Sequence, residues 1–233
     1  SQIYHNGKKL INFSSNDYLG LAGHHTLTEA AKHAIDRFGV GSGASRLVCG
    51  SLEVHHELEE ALARWLKAEA ALVFSSGFAA AQGVISSIVG SEDVVVIDKK
   101  VHASTVDAVK LSGAKLRVFK HNDLSSLEKI LKWADKRNSR VLTIAESVYS
   151  MDGDSPVIED LVDLKERYGS WLMLDEAHAL GCYGESGGGL ALKSNLSEKI
   201  EIRLGTLGKS IGVAGGFICG SKKLVDLLVN KAR

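Results

Sequence analysis

AALVFSSGFAAAQGVISSIVGSEDVVVID, residues 70–98, decides the fold class. Ala70 to Phe74 is an apolar run of strand length. Ser75-Ser76-Gly77 interrupts it, and an Ala-rich stretch from about Phe78 to Val89 is long enough for a helix. Asp93 to Asp98 encloses consecutive β-branched residues, which predicts a strand buried on both faces. Strand, helix and strand at this spacing form the unit of a parallel sheet, because parallel neighbours need a crossover between them.

The pattern extends in both directions. Upstream, Leu58, Leu62, Trp65 and Leu66 recur at helical spacing between charged residues and predict an amphipathic helix from Val54 to Lys67. Downstream, a helix is expected at His102 to Leu111, a strand at Lys115 to Phe119, a helix at Asp123 to Arg137 and a strand at Arg140 to Glu146. A helix opened by Pro156 reaches Tyr168, followed by strands at Trp171 to Asp175, Glu201 to Thr206 and Gly216 to Cys219 and by a last helix. The expected fold is α/β, a mostly parallel sheet with helices on both faces, with ligands beyond the carboxyl ends of the strands. Gly39 to Gly50 and Gly181 to Gly189 are expected long loops. Residues 1–50, less regular, are expected to form an N-terminal arm and Gly-rich segment, and residues 51–233 one large domain.

The chain of 233 residues is 45% hydrophobic, enough for one substantial core but not for two large ones. Lys plus Arg and Asp plus Glu each total 28, so no net positive field gathers nucleic acid or a membrane surface, and a small molecule is the expected partner. Cys49, Cys182 and Cys219 are far apart and odd in number, which argues against a disulfide framework or zinc knuckle and for a reducing cytoplasm. The doublets His24-His25 and His55-His56 lack metal-ligand spacing, so no metal is expected. No signal-peptide stretch or apolar run of membrane-spanning length occurs, which predicts a soluble protein. The chain begins at Ser1 rather than Met, as a processed or partial product would.

Asp175 closes the apolar run Trp171-Leu172-Met173-Leu174, and His178 follows three residues later. A carboxylate at the end of a buried strand is unfavourable unless a cation meets it, although capping the next loop is a plainer role. Lys209 sits in Gly205-Thr206-Leu207-Gly208-Lys209-Ser210-Ile211-Gly212, after a strand and 34 positions beyond Asp175, where it can reach a ligand. Ser76-Gly77-Phe78-Ala79 turns a strand into a helix, so free backbone N–H groups can face an anion, and Thr206 adds a hydroxyl. An amine, a buried carboxylate and anion donors together suit pyridoxal 5'-phosphate, which needs an imine partner, a counter-ion for its ring nitrogen and a phosphate cradle. His102, just past the Asp93 to Asp98 strand, can stack on a planar ring or simply cap a helix; Ser150 reads equally as a turn residue.

Two rival motifs fail. Gly208-Lys209-Ser210 would need a glycine five positions before Gly208 to be a P-loop, and Arg203 stands there. Gly39-x-Gly41-x-x-Ala44 follows the helical pattern Leu27 to Phe38 rather than a strand, so it is no dinucleotide fingerprint.

Asn16-Asp17-Tyr18-Leu19-Gly20-Leu21, Gly41-Ser42-Gly43, Ser76-Gly77-Phe78, His102-Ala103-Ser104, Ser150-Met151-Asp152-Gly153-Asp154, Asp175-Glu176-Ala177-His178 and Thr206-Leu207-Gly208-Lys209 follow one another in one order. Together they resemble the α-oxoamine synthases, fold-type I pyridoxal-phosphate enzymes that condense an amino acid with an acyl thioester and release carbon dioxide. The resemblance implies that Lys209 is the Schiff-base lysine, that Asp175 pairs with the pyridine nitrogen, that His178 and Ser150 bond the ring hydroxyl and that His102 stacks on the ring. It further implies a phosphate held by Gly77, Phe78 and Thr206 and a substrate carboxylate oriented by Asn16, with Lys209, His102 and Asp175 as the catalytic set. Within the family the motifs lean towards joining L-alanine to a pimeloyl thioester of coenzyme A or acyl carrier protein, with glycine and an acetyl thioester as the near rival. A homodimer is implied as well. Gly188 stands where family members usually carry arginine, and the family continues past the position of Arg233 into a smaller C-terminal domain that this chain does not show.

Overall fold

The computed structural model describes residues 2–232. The chain opens with the antiparallel hairpin β1 (Gln2–His5) and β2 (Lys8–Ile11), then α1 (His25–Phe38) and α2 (Glu53–Trp65). The alternating part runs β3 (Ala70–Phe74), α3 (Gly77–Ile88), β4 (Val94–Asp98), α4 (Ala103–Ser112), β5 (Lys115–Phe119), α5 (Leu124–Asp135), β6 (Val141–Glu146), α6 (Ile158–Arg167) and β7 (Trp171–Asp175). A short helix α7 (Gly189–Lys193), the strands β8 (Ile202–Thr206) and β9 (Gly216–Gly220) and the helix α8 (Lys222–Lys231) follow.

Seven strands form one sheet in the order β3-β9-β8-β7-β6-β4-β5. Neighbours from β8 through β5 pair in parallel, while β9 runs antiparallel to both β8 and β3. The reversal has a local cause: β8 and β9 are joined by the loop 207–215 instead of a crossover helix, and that loop carries Lys209.

Alternation along β4 explains why its residues are apolar throughout. Val95 and Ile97 enter a core with Val84 and Ile85 of α3, Val109 of α4 and Met173, whereas Val94 and Val96 pack with Leu127 and Leu131 of α5 and Leu161 of α6. Helices therefore cover both faces, the arrangement that a run of consecutive apolar residues predicts. Truncating a fully buried member such as Ile144 to Ala would cost about 2–5 kcal/mol. A third cluster seats α2 through Leu62 and Leu66 against Phe217.

Helix starts follow from their caps. Ser76, Asp123 and Ser221 accept backbone N–H groups from Ala79, Ser126 and Leu224 at 3.0, 2.9 and 3.2 Å. The expected strands and helices from residue 53 onward appear within a few residues of their forecast ends. The segment read as a less regular arm holds a hairpin that was not expected, beside the helix at the expected Leu27 to Phe38. Asn6 and Gly7, with φ of 49° and 73°, make the two-residue turn of the first hairpin, and α1 buries none of its residues. The loop at 181–189 is likewise more structured, with a 3-10 turn at Glu185–Gly187 leading into α7. Gly188 is buried within it, and a Cβ there would lie 2.3 Å from Leu192 Cδ1, so a side chain at this position must displace that leucine's end. Cys49, Cys182 and Cys219 are all free. Among the described residues no helix is long and apolar enough to cross a membrane.

Candidate active site

The carboxyl ends of β6, β7 and β8 place Glu146, Asp175 and Thr206 along one rim of the sheet, with Lys209 in the loop beyond β8. Lys209 Nζ lies 2.6 Å from His178 Nε2, and His178 Nδ1 lies 2.6 Å from the Tyr18 hydroxyl. Tyr18 donates its O–H to Asn16 Oδ1 at 3.3 Å. That direction leaves the Tyr18 oxygen to accept from His178 Nδ1–H, so Nε2 is the acceptor for Lys209. One polar chain thus joins Asn16, Tyr18, His178 and Lys209.

Burial sets the charges. Lys209 titrates below the ordinary lysine range because its amine is desolvated; attraction to Asp175 and Glu146 opposes this only in part. His178 is pushed down to about 4 by desolvation and by the nearby Lys209 and His102. A neutral imidazole accepting from a lysine with a lowered pKa leaves an amine that is readily unprotonated, the form that attacks a carbonyl. Asp175 is 9% exposed, and burial raises its carboxyl above the usual carboxylate range. The Ala177 N–H, donating to Oδ1 at 2.9 Å, and electrostatic attraction from Lys209 and His102 pull the other way.

Phosphate-sized anion donors stand beside this set. The first N–H groups of α3, those of Gly77 and Phe78, lie at a helix start where no intrahelical acceptor precedes them. A Cβ on Gly77 would come 3.6 Å from Thr206 Cβ, so the helix start and the end of β8 meet. Thr206 Oγ1 donates to the Gly215 carbonyl at 3.1 Å and accepts from the Gly208 N–H at 3.2 Å, fixing the loop that bears Lys209. Gly216 is what lets the strand pass: a Cβ there would lie 2.4 Å from Gly77 N.

His102 caps α4, its Nδ1 accepting from Ser104 N at 3.2 Å, and its ring is exposed at the rim. Capping and an available ring face coexist. Ser150, in the turn after β6, lines a 280 Å³ pocket with Tyr18, His178, Cys182 and Tyr183. Phe78 and Asn16 are both exposed. Every residue expected at the site therefore lies at this end of the sheet. The larger clefts, of about 640 and 800 Å³, open at the opposite ends of the strands beside Trp171 and Ser221 and contain none of them.

Two residues escaped the sequence reading. Glu146 accepts the His102 N–H at 2.5 Å, and its carboxyl rises to about 8 through burial and through repulsion by Asp175. Its signal was present, since it closes the apolar strand Val141–Glu146 just as Asp175 closes the next one. Tyr18 lay inside a recognised motif, but nothing local to residue 18 indicates a partner 160 positions away.

The donor set fits pyridoxal phosphate: a desolvated amine, a buried carboxylate lacking a strong cationic bond, and unspent N–H groups at a helix start. The fold is that of the large domain of fold-type I pyridoxal-phosphate transferases, and residues 8–233 match the family model for aminotransferase class I and II; the chain belongs to that family. It is 46% identical over its whole length to an 8-amino-7-oxononanoate synthase of Geobacter sulfurreducens, spanning 59% of that relative. Among solved structures, a serine palmitoyltransferase variant from S. paucimobilis with bound PLP and myriocin superposes with a TM-score of 0.95 at 31% identity, over 100% of this chain and 60% of that one. An 8-amino-7-oxononanoate synthase from Francisella tularensis superposes with a TM-score of 0.83 at 30% identity, over 96% of this chain and 62% of that one. These matches bear out the resemblance to the α-oxoamine synthases. The chain spans about 59% of the length of the curated relative it matches.

Proposed function

We propose that this chain is the cofactor-binding part of an 8-amino-7-oxononanoate synthase, which joins L-alanine to a pimeloyl thioester with loss of carbon dioxide, a step of biotin biosynthesis. The observation that carries the reading is the desolvated Lys209 amine, 2.6 Å from a neutral His178 and within the field of the buried Asp175. The 46% identity to a curated synthase supports the choice of substrates.

Pyridoxal phosphate, when bound, supplies the electron sink that stabilises negative charge on the substrate α-carbon. Lys209 would hold the cofactor through its amine, and the same Nζ, when free, would take the α-proton of the substrate. Asp175 would pair with the ring nitrogen and hold a proton there, a pairing that would also offset the burial of its carboxylate. His178 and Ser150 would bond the ring hydroxyl, and His102 would cover one ring face. Gly77, Phe78 and Thr206 hold the phosphate, and Asn16 orients the substrate carboxylate. The pimeloyl group arrives on coenzyme A or an acyl carrier protein.

We further take residues 51–233 as the cofactor-binding body, residues 1–50 as an arm, the cytoplasm as the location and a homodimer as the assembly. Exposed Phe13, Val40 and Val48, at 91%, 91% and 78%, support a partner surface on the arm. A second reading is another α-oxoamine synthase, such as glycine C-acetyltransferase; the 0.95 TM-score to a serine palmitoyltransferase favours keeping it. A non-catalytic, cofactor-binding scaffold is the reading from outside enzymology.

A substrate panel separates these readings. Alanine, glycine and serine are offered to the complete natural chain with pimeloyl, acetyl and longer acyl thioesters, and free thiol and carbon dioxide are measured. Fastest release with alanine and pimeloyl thioester is expected. Glycine with acetyl thioester as the best pair would assign the second reading, and cofactor binding without any release would assign the scaffold.

A further inference from the structure

A second polar network, outside the residues assigned to the cofactor, ties down the turn that bears Ser150. Asp98 ends β4 with 0% exposure. Its carboxylate accepts the backbone N–H of Lys100 at 2.8 Å and of Asn122 at 2.9 Å, and pairs with His121 Nδ1 at 2.9 Å. His121 then reaches across the rim with its other nitrogen, Nε2 lying 2.8 Å from Asp154 Oδ2. Asn122 Nδ2 donates to the same oxygen at 2.9 Å, and Lys100 Nζ meets Asp152 at 2.8 Å. The turn closes on itself through Tyr149 N–H to the Asp154 carbonyl and Gly153 N–H to the Tyr149 carbonyl, at 2.9 and 2.8 Å. The His121 ring also stands edge-on to Tyr149, centroids 4.5 Å apart.

A side chain with both ring nitrogens facing carboxylates has one arrangement that satisfies both contacts, an imidazolium donating twice. We propose that His121, bridging Asp98 and Asp154, is a positioning residue that pins the Tyr149–Asp154 turn to the ends of β4 and β5 and so fixes Ser150 at the site. The pinning follows from the network alone; its consequence for the cofactor rests on the reading of Ser150 as a partner of the ring hydroxyl.

The bridge responds to pH. Burial opposes charge on the His121 ring, but hydrogen bonds and attraction from Asp98 and Asp154 outweigh it and raise its titration above the ordinary value of 6.5. The groups facing it are Asp98 from β4, Lys100 just beyond, and Tyr149, Asp152 and Asp154 from the turn. Because the folded value is raised, the pinning is complete below the ordinary histidine value and is lost as pH rises through the raised one.

The test uses the complete natural chain, with and without pyridoxal phosphate. Hydrogen exchange read by mass spectrometry reports both the backbone of 149–154 and, through the slow C2–H, the titration of His121. His121→Phe strips a buried carboxylate of a donor and can unfold the strand ends, so Asp154→Asn, at a side chain 43% exposed, is the decisive variant. Backbone exchange of the turn at pH 6 is expected to speed up at least about tenfold in Asp154→Asn, the size of one charged hydrogen bond. In the unsubstituted chain it should step up with the His121 titration, beyond the base catalysis common to all amides, and the variant should lack that step. With cofactor bound, the absorption band of Asp154→Asn should move towards that of Ser150→Ala.

Unchanged exchange of the turn in Asp154→Asn, or exchange blind to the His121 titration, overturns the pinning. If the turn loosens while the Asp154→Asn band stays at the unsubstituted position and Ser150→Ala shifts it, the positioning role is overturned. If Ser150→Ala shifts nothing, the cofactor contact assigned to Ser150 fails and the positioning role with it, while the pinning stands.

Discussion

Glu146 and Asp175 are register partners at the carboxyl ends of the adjacent parallel strands β6 and β7, so two buried carboxyls share one face of the sheet rim. Desolvation raises both, and the field of Asp175 adds to the rise of Glu146, which reaches about 8. Such neighbours titrate as a pair and resist carrying two negative charges together. Lys209 is the amine that both attract. Where that amine is taken up by a cofactor, a cationic ring would join His102 in favouring the ionised form of Asp175.

Stability of the cofactor-free protein should therefore fall with pH in a defined window. In the unfolded chain Glu146 titrates at 4.5, and in the fold at about 8. The folded state keeps a proton that the unfolded state releases, so stability declines as pH rises from about 4.5 towards 8. Glu146→Gln stays neutral and still accepts the His102 N–H. Its thermal midpoint should exceed that of the unsubstituted protein at pH 8 by more than at pH 5, by roughly 2–4 °C for each kcal/mol recovered. Parallel midpoint curves in a cofactor-free melting series would sink the assignment.

Gly216→Ala should damage the anion cradle rather than the amine site. The added methyl would lie 2.4 Å from Gly77 N and 2.5 Å from Ser76 C, both backbone atoms that cannot swing aside. Overpacking of this kind costs about 1–3 kcal/mol and moves the start of α3. Affinity for pyridoxal phosphate should drop more than affinity for pyridoxal, which lacks the phosphate. Equal losses for the two ligands would place the phosphate elsewhere.

The sheet was legible because strands buried on both faces leave unbroken apolar runs, as at Val94–Asp98 and Trp171–Asp175. The first hairpin was not read: its one local signal is Asn6-Gly7, while its strands mix Tyr4, His5, Lys8 and Lys9, and neither face is buried enough to show a period. Lys209 and Asp175 announced themselves as polar groups where the pattern demanded small or apolar ones. Tyr18 and the His121 bridge did not, because each is defined by a partner far away in sequence, 160 and 23 residues for Tyr18–His178 and His121–Asp98. Local pattern cannot carry a contact that only the tertiary fold creates.

Lys209 should carry the cofactor in preference to every exposed lysine. Its lowered pKa leaves more free amine at neutral pH than an ordinary lysine has, and the free amine is what condenses with an aldehyde. Borohydride reduction followed by peptide mapping should place the pyridoxyl label at Lys209. Lys209→Ala should abolish the label while retaining weaker, non-covalent binding. A label on Lys222 or Lys223 would overturn the assignment.

Asp175→Asn tests the electrostatic role most directly, since the substitution removes a charge while nearly keeping the shape. Asp175 Oδ1 accepts the Ala177 N–H, and an asparagine Oδ1 can do the same, so the loop after β7 should persist and the fold should be retained. What disappears is the negative partner of the ring nitrogen. Opposite charges within a few Å favour both ionised forms by as much as ~1–3 pKa units, so without the carboxylate the ring loses its proton at neutral pH and accepts electrons poorly. In the complete enzyme, saturated with cofactor, thiol release should fall at least ~10²-fold, a loss of roughly 2.7 kcal/mol in the barrier term. Cofactor affinity should weaken as well, because the pairing that offsets the burial of Asp175 is gone. If Asp175→Asn releases thiol near the unsubstituted rate, the carboxylate acts only as the cap of the Glu176–Ala177 turn.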